Sequence, residues 1–284
     1  MGIAESLKRG TDLASKTVKD TIEFVREKFL PLFTYMLVSY GVVLLAAGIA
    51  VVLALITLLP AGVFEDPSTV SVTSFAVVLV AALLIVLAGM VLSQGVRFSA
   101  IKYVMTGERQ PFFSGKNIWL GFQLIVFFIV VFGAIAVVVL LPFLLGLLGP
   151  GGAIAGLLIF AVLALAAAIL FLMLVVASVY LVYEMAAGNI GPIEALKKSW
   201  ALVRGNFWET VLMWLVVYAV SYGLGLVLSV VLIALYVLVF IIPIVGIVLL
   251  VLFSIIAEAA VEAVVLPLWI LFWKELKVKK RKAA

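Results

Sequence analysis

The sequence predicts an all-α polytopic integral membrane protein: a bundle of six transmembrane helices, with cytoplasmic amphipathic helices lying at the interface. Three observations carry this prediction. Only 12% of the 284 residues are charged while 67% are hydrophobic, with a mean hydropathy of +1.42, against about 25% charged in a soluble domain. The charges are gathered into short blocks, and residues 29–64, 67–96, 117–183 and 210–257 carry none. The 19 lysines and arginines fall at alternate ends of these neutral stretches. A soluble helical core has no means of solvating so much apolar surface.

A helix crossing a hydrocarbon core of about 30 Å needs roughly 20 apolar residues. The neutral stretches therefore hold one, one, two and, continued through Trp273, two more spans. They are placed near 32–59, 73–96, 119–148, 153–183, 211–239 and 247–273, within a transmembrane domain over residues 31–273. Several exceed the minimum, which predicts tilt, kinks or buried ends. Pro60-Ala61-Gly62, Gly149-Pro150-Gly151-Gly152 and the stretch from Pro243 to Gly246 supply the breaks.

Residues 1–30 form the first cytoplasmic region. Ile3, Leu7, Ala14, Val18, Ile22, Val25 and Phe29 keep near-helical spacing, with Lys8, Lys16, Lys19, Glu23 and Arg26 elsewhere on the wheel. Gly10-Thr11-Asp12 is a candidate break, with Thr11 or Asp12 capping a second piece. The segment has mixed charge and no apolar run with a cleavage site, so the first span is expected to act as an uncleaved signal anchor. Orientation follows from the cations. Six precede the first span, four lie in the 97–116 loop, three in 197–204 and six in the basic tail 274–284, while the opposite side has only Glu65 and Asp66. The positive-inside rule puts both termini in the cytoplasm, and the protein in the plasma membrane. Trp119, Trp200, Trp208, Trp269 and Trp273 lie near that boundary and suit an interfacial belt.

A second amphipathic helix is predicted from Pro192, an N1-type proline, to Arg204, with Gly205 as its C′ residue. Its apolar stripe is Ile193, Leu196, Trp200 and Val203, which leaves Lys197, Lys198 and Arg204 for anionic headgroups. The run Ala195-Leu196-Lys197-Lys198-Ser199-Trp200, then Leu202, then Gly205-Asn206-Phe207-Trp208 resembles the juxtamembrane signature of a group of prokaryotic six-span proteins. That group includes the membrane domain attached to some glycerophosphoryl diester phosphodiesterases and the YciC-like proteins. The resemblance implies the six-span architecture. It implies no phosphodiesterase activity, which in that group belongs to a separate soluble domain without a counterpart in these residues. A short repetition, Val38-Ser39-Tyr40-Gly41 and Val220-Ser221-Tyr222-Gly223, opens the first and fifth spans, and fits three hairpins each led by an interfacial segment.

Two charges fall inside the spans, Glu258 and Glu262 in the sixth. The i, i+4 spacing puts both on one helix face, about 6 Å apart along the axis. An ionised acid at mid-depth costs roughly 2.5–3.5 kcal/mol on insertion scales, so compensating contacts are expected. No lysine or arginine shares their depth by residue count, Arg97 being nearer the end of the second span, so hydroxyls are the expected partners. Tyr222 and Ser221 match the depth of Glu262, with Tyr40, Ser39, Tyr218 and Ser254 as further candidates. Burial and mutual repulsion predict that at least one of the pair carries a proton at neutral pH. Pro267 leaves the carbonyl of Ala263 without its helical donor and predicts a kink. Ala257, Ala259, Ala260 and Ala263 permit close helix approach.

Acids, a freed carbonyl and hydroxyls at mid-depth fit interhelical bonding, and they also fit a coupling-ion site of a transporter. Catalysis finds less support. There is no cysteine and no histidine, which removes thiolate chemistry, disulfides and the commonest general base and metal ligand. Asp12, Asp20 and Asp66 lie outside the spans, Glu108, Glu184, Glu194 and Glu209 are scattered over separate loops, and the glycine-rich turn 149–152 lacks the lysine and hydroxyl of a phosphate loop. The expected function is that of a non-enzymatic membrane protein with a structural, lipid-interacting or accessory role. The alternative is a small proton- or cation-coupled transporter using Glu258 and Glu262. Membrane lipids are the expected partners, other membrane proteins the second class, and neither nucleic acid, a metal nor a cofactor is expected.

Overall fold

A computed structural model describes residues 3–58, 72–140, 142 and 150–283. The expected first turn, with Pro60, Glu65 and Asp66, lies outside the described residues, as does Gly149 of the third-to-fourth connection. Among the described residues there are eight α-helices and no strand. Six are long and apolar enough to cross a membrane, so the chain is a helical, multi-span membrane protein. Helix contacts divide it into two units, Met1–Gly121 with Trp208–Ala284, and Phe122–Phe207.

In the first unit α1 (Ile3–Leu58) packs along both α2 (Val72–Thr106) and α8 (Pro243–Ala283). α3 (Gly115–Leu140) begins in this unit, and α7 (Phe207–Ile241) belongs to it from Trp208 on. α1 is one unbroken helix of 56 residues, about 84 Å at 1.5 Å per residue. The expected break at Gly10-Thr11-Asp12 is absent. Gly10 is instead a point of close approach, since an ideal Cβ there would lie 2.5 Å from Leu212 Cδ1 of α7. Its missing side chain admits a neighbouring helix, and the backbone has no need to bend. The helix also continues through Pro31.

The buried face of this N-terminal stretch differs from the expected apolar stripe. Gly10, Ala14, Thr17 and Thr21 are buried, whereas Leu7 and Ile22 are exposed. Short side chains let helices approach closely, and in membrane proteins close packing rather than hydrophobicity selects the interface. The same logic holds where α1 meets α2: an ideal Cβ on Gly89 would lie 2.3 Å from Ala46 Cβ. On α8, Ala257, Ala259 and Ala263 are buried.

α2 runs to Thr106, ten residues past the expected end of the second span. Gly107 closes it with a φ of +76°, a left-handed conformation that glycine adopts without strain. The connection to α3 is therefore 107–114, and Arg97 and Lys102 are helical residues and not loop residues. Buried polar groups hold this connection. Asn117, 1% exposed, donates to Ser99 Oγ at 2.8 Å and accepts from Lys102 at 2.7 Å, while Ser99 donates to the carbonyl of Pro111 at 2.8 Å. Tyr35 Oη is bonded to both the N–H and the carbonyl of Gln110.

α8 passes through Pro267 and continues to Ala283, so the basic segment expected as a solvated tail is a helical extension. Glu275 pairs with Lys16 at 2.7 Å, Leu276 is fully buried and Lys274 donates to the carbonyl of Met105 at 2.8 Å. Trp273, expected in an interfacial belt, is buried, with the Lys277 ammonium 4.3 Å from its ring centre.

In the second unit α4 (Pro150–Ser178) and α5 (Leu181–Gly188) pack on α6 (Pro192–Gly205). The fourth span ends earlier than the expected 183, because the chain turns at Tyr180, whose N–H donates to Ser199 Oγ of α6 at 3.1 Å. α6 begins at Pro192 as expected. Its C-cap is Asn206, however, with Gly205 the last helical residue. The face α6 buries is Ala195, Ser199, Leu202 and Val203. Val203 of the expected stripe is buried, whereas Ile193 and Trp200 are exposed, since the small residues Ala195 and Ser199 beside them let α6 approach its neighbours closely.

Candidate functional site: a three-helix polar clasp

The sixth span carries its two carboxylates on α8, where flanking alanines bring α1 and α2 within reach. Glu262 Oε2 accepts from Tyr40 Oη of α1 at 2.7 Å and from Arg97 Nη2 of α2 at 2.9 Å. The guanidinium carbon of Arg97 also lies 5.3 Å from the centre of the Tyr40 ring, within cation–π range. Three helices thus meet at one carboxylate oxygen. The Arg97 and Glu262 side chains are 30% and 23% exposed, so the pair is partly shielded. Arg97 Nε is buried without a hydrogen-bond partner.

This arrangement corrects the expectation that no cation reaches the glutamates. Arg97 sits five residues before Lys102 on α2, about one and a half turns, and its side chain carries the charge to Glu262. Counting from the end of the apolar run placed it in a loop, too shallow to matter. α2 does not end there, and its packing with α1 and α8 brings Arg97 and Tyr40 to Glu262. The missed signal was the absence of any Gly, Pro, Asn or Asp between Arg97 and Gly107, which lets the helix run on past its apolar stretch.

The remaining expected partners separate. Ser39 is fully buried and bonds Ser93 of α2, Oγ to Oγ at 2.7 Å, which fastens α1 to α2 beside the clasp. Ser254 Oγ donates to its own helix, to the carbonyl of Leu250 at 2.8 Å. Tyr222 does not meet Glu262. It is exposed on α7 and stacks on Tyr218, ring centres 6.2 Å apart, which in turn stacks on Trp214. Ser221, beside it, makes no hydrogen bond among the described residues. The i, i+4 spacing of these rings makes a ladder along one exposed helix face. Glu258 is exposed and has neither a hydrogen bond nor an ion pair among the described residues.

The second expected site is on α6. Lys197, Lys198 and Arg204 are all exposed. Lys198 pairs with Glu194 at 2.7 Å, an i, i+4 contact on the helix surface. Lys197 makes no such pair among the described residues. The exposed side of α6 therefore carries Ile193 and Trp200 together with an excess of positive charge. Comparison with protein families, characterised proteins and solved structures finds no match to this chain, and its function is to be read from these two constellations.

Proposed function

We infer that the protein is a non-enzymatic integral protein of the cytoplasmic membrane, both ends on the cytoplasmic side, with a lipid-interacting structural or accessory role. One observation carries this reading: Glu262 holds Arg97 and Tyr40 at the same oxygen. A carboxylate that moves an ion must release and regain its ligand in every cycle, and a guanidinium at 2.9 Å competes with that exchange. As a brace the same contact is apt, because an unpaired charge in hydrocarbon is costly and a paired one ties helices together. The exposed apolar and cationic side of α6 supports lipid contact. The one-sided distribution of lysine and arginine supports the orientation. The likeness of the α6 sequence to the six-span prokaryotic group is in keeping with the six-span architecture alone.

Glu258 favours a second reading. An exposed carboxylate without a partner among the described residues, one turn from the clasp, suits a proton or cation site. Reconstitution into liposomes with a trapped pH-sensitive dye separates the two. On the first reading Glu258→Gln and Glu262→Gln change no proton or sodium flux, and Glu262→Gln lowers the melting temperature. Flux that Glu258→Gln abolishes in a folded protein would establish the second. For the lipid role, replacing Lys197, Lys198 and Arg204 together by alanine should reduce the anionic lipid that co-purifies from mixed micelles, and unchanged lipid content would remove that part of the reading.

A further inference from the structure

A groove of about 610 Å³ lies between α3 and the first turns of α6, within the roughly 300–1,000 Å³ typical of small-molecule sites. Its long wall is one face of α3. Phe122, Val126 and Val130 recur every fourth residue and make an apolar strip about 12 Å long, flanked by Phe127. Val126 and Val130 are exposed, open to whatever fills the groove.

The other wall is polar in a particular way. Beside Pro192 and Ile193 it carries Glu194 and Lys197, and across from them Gln123 of α3 adds an amide. The Glu194 carboxylate is engaged by Lys198 at 2.7 Å, which leaves the Lys197 ammonium as the uncompensated charge of the groove. The Gln123 amide makes no hydrogen bond among the described residues, although it sits on a membrane-crossing helix where an unmatched polar group is costly. An apolar channel ending in one net cation and an amide donor complements an amphiphile: hydrocarbon for the strip, an anionic oxygen for Lys197 and Gln123. A zwitterionic lipid would bring its own ammonium to the same end and gain less.

We propose that this groove holds one anionic glycerophospholipid, an acyl chain along Phe122, Val126 and Val130 and the headgroup phosphate on Lys197 and Gln123. The proposal rests on the reading of α6 as a lipid-contacting helix, but it is narrower, since it demands a single site in a defined place. The test uses the full chain in neutral detergent with equal phosphatidylglycerol and phosphatidylcholine, reading retained lipid by native mass spectrometry. One phosphatidylglycerol per chain is expected, in preference to phosphatidylcholine. Lys197→Ala should weaken its retention about fivefold, the effect of one basic residue at a lipid surface. Val126→Trp, which fills the groove from an exposed position, should remove it. Val130→Trp serves as a second blocking variant should Val126→Trp lower the melting temperature. Arg204→Ala, off the groove, should weaken retention clearly less than Lys197→Ala does. Equal losses in Lys197→Ala and Arg204→Ala would overturn the groove and assign lipid contact to the general charge of α6, the broader reading surviving. Retention that both tryptophan variants leave intact, or no preference between the two lipids, would overturn the groove outright.

Discussion

At the scale of single residues, Glu262 decides how the first unit is held. Its oxygen joins side chains of α1, α2 and α8, and the three groups act together, so their contributions should not add. In a double-mutant cycle, Arg97→Ala and Glu262→Ala are expected to show a coupling of about 1–2 kcal/mol in unfolding from mixed micelles. Additivity within about 0.5 kcal/mol would mean that the pair holds nothing. Tyr40→Phe removes only the hydroxyl and should cost less, about 0.6 kcal/mol, the average for hydrogen bonds between membrane helices. By contrast, the Lys16–Glu275 pair, 57% and 33% exposed, belongs to the class of solvent-screened surface pairs that contribute little.

At the scale of helices, close approach and not apolar character selects the contact faces. Gly89 on α2 faces Ala46 on α1, whereas Gly41, in the short Val-Ser-Tyr-Gly repeat, has nothing within 4 Å of an ideal Cβ. Two glycines in neighbouring membrane helices therefore have opposite roles. Gly89→Val should force α1 and α2 apart and cost about 1–3 kcal/mol, the usual range for overpacking. Gly41→Ala adds a methyl group to open space and should stabilise by up to about 1 kcal/mol through helix propensity. Melting temperatures of the two variants moving in the same direction would contradict this assignment. The repeat itself also has different surroundings in its two copies: Tyr40 reaches a carboxylate, while Tyr222 stacks on Tyr218.

At the scale of the whole molecule, length alone requires helix outside the bilayer. With 56 residues α1 is about 84 Å long, and a hydrocarbon core of about 30 Å holds less than half of it even at a tilt of about 40°. The N-terminal part of α1 and the extension of α8 meet through Lys16 and Glu275, so these two ends belong to the same side. Since the native chain has no cysteine, single cysteines report topology without background. Cysteines at positions 8, 198 and 277 should be labelled from one side by an impermeant maleimide and a cysteine at position 65 from the other. Labelling of 65 together with 277 would invert or break the proposed topology.

What the sequence determined by itself was the class, the number of spans and the location of the two acids. These depend on composition and on runs of neutral residues, which are properties of consecutive positions. Part of the clasp was legible as well, because Tyr40 is a hydroxyl near the right depth. Arg97 was not, because its role depends on α2 continuing beyond its apolar run and on which helices pack beside it, neither of which leaves a mark in local periodicity. For the same reason Tyr222, equally deep by residue count, was named as a partner and is none. The buried faces of α1 and α6 were misjudged for a related cause. Hydrophobic spacing shows which residues avoid water, yet with lipid on one side and protein on the other both faces avoid it, and only the packing chose Gly10, Thr17, Ala195 and Ser199 as the contacts.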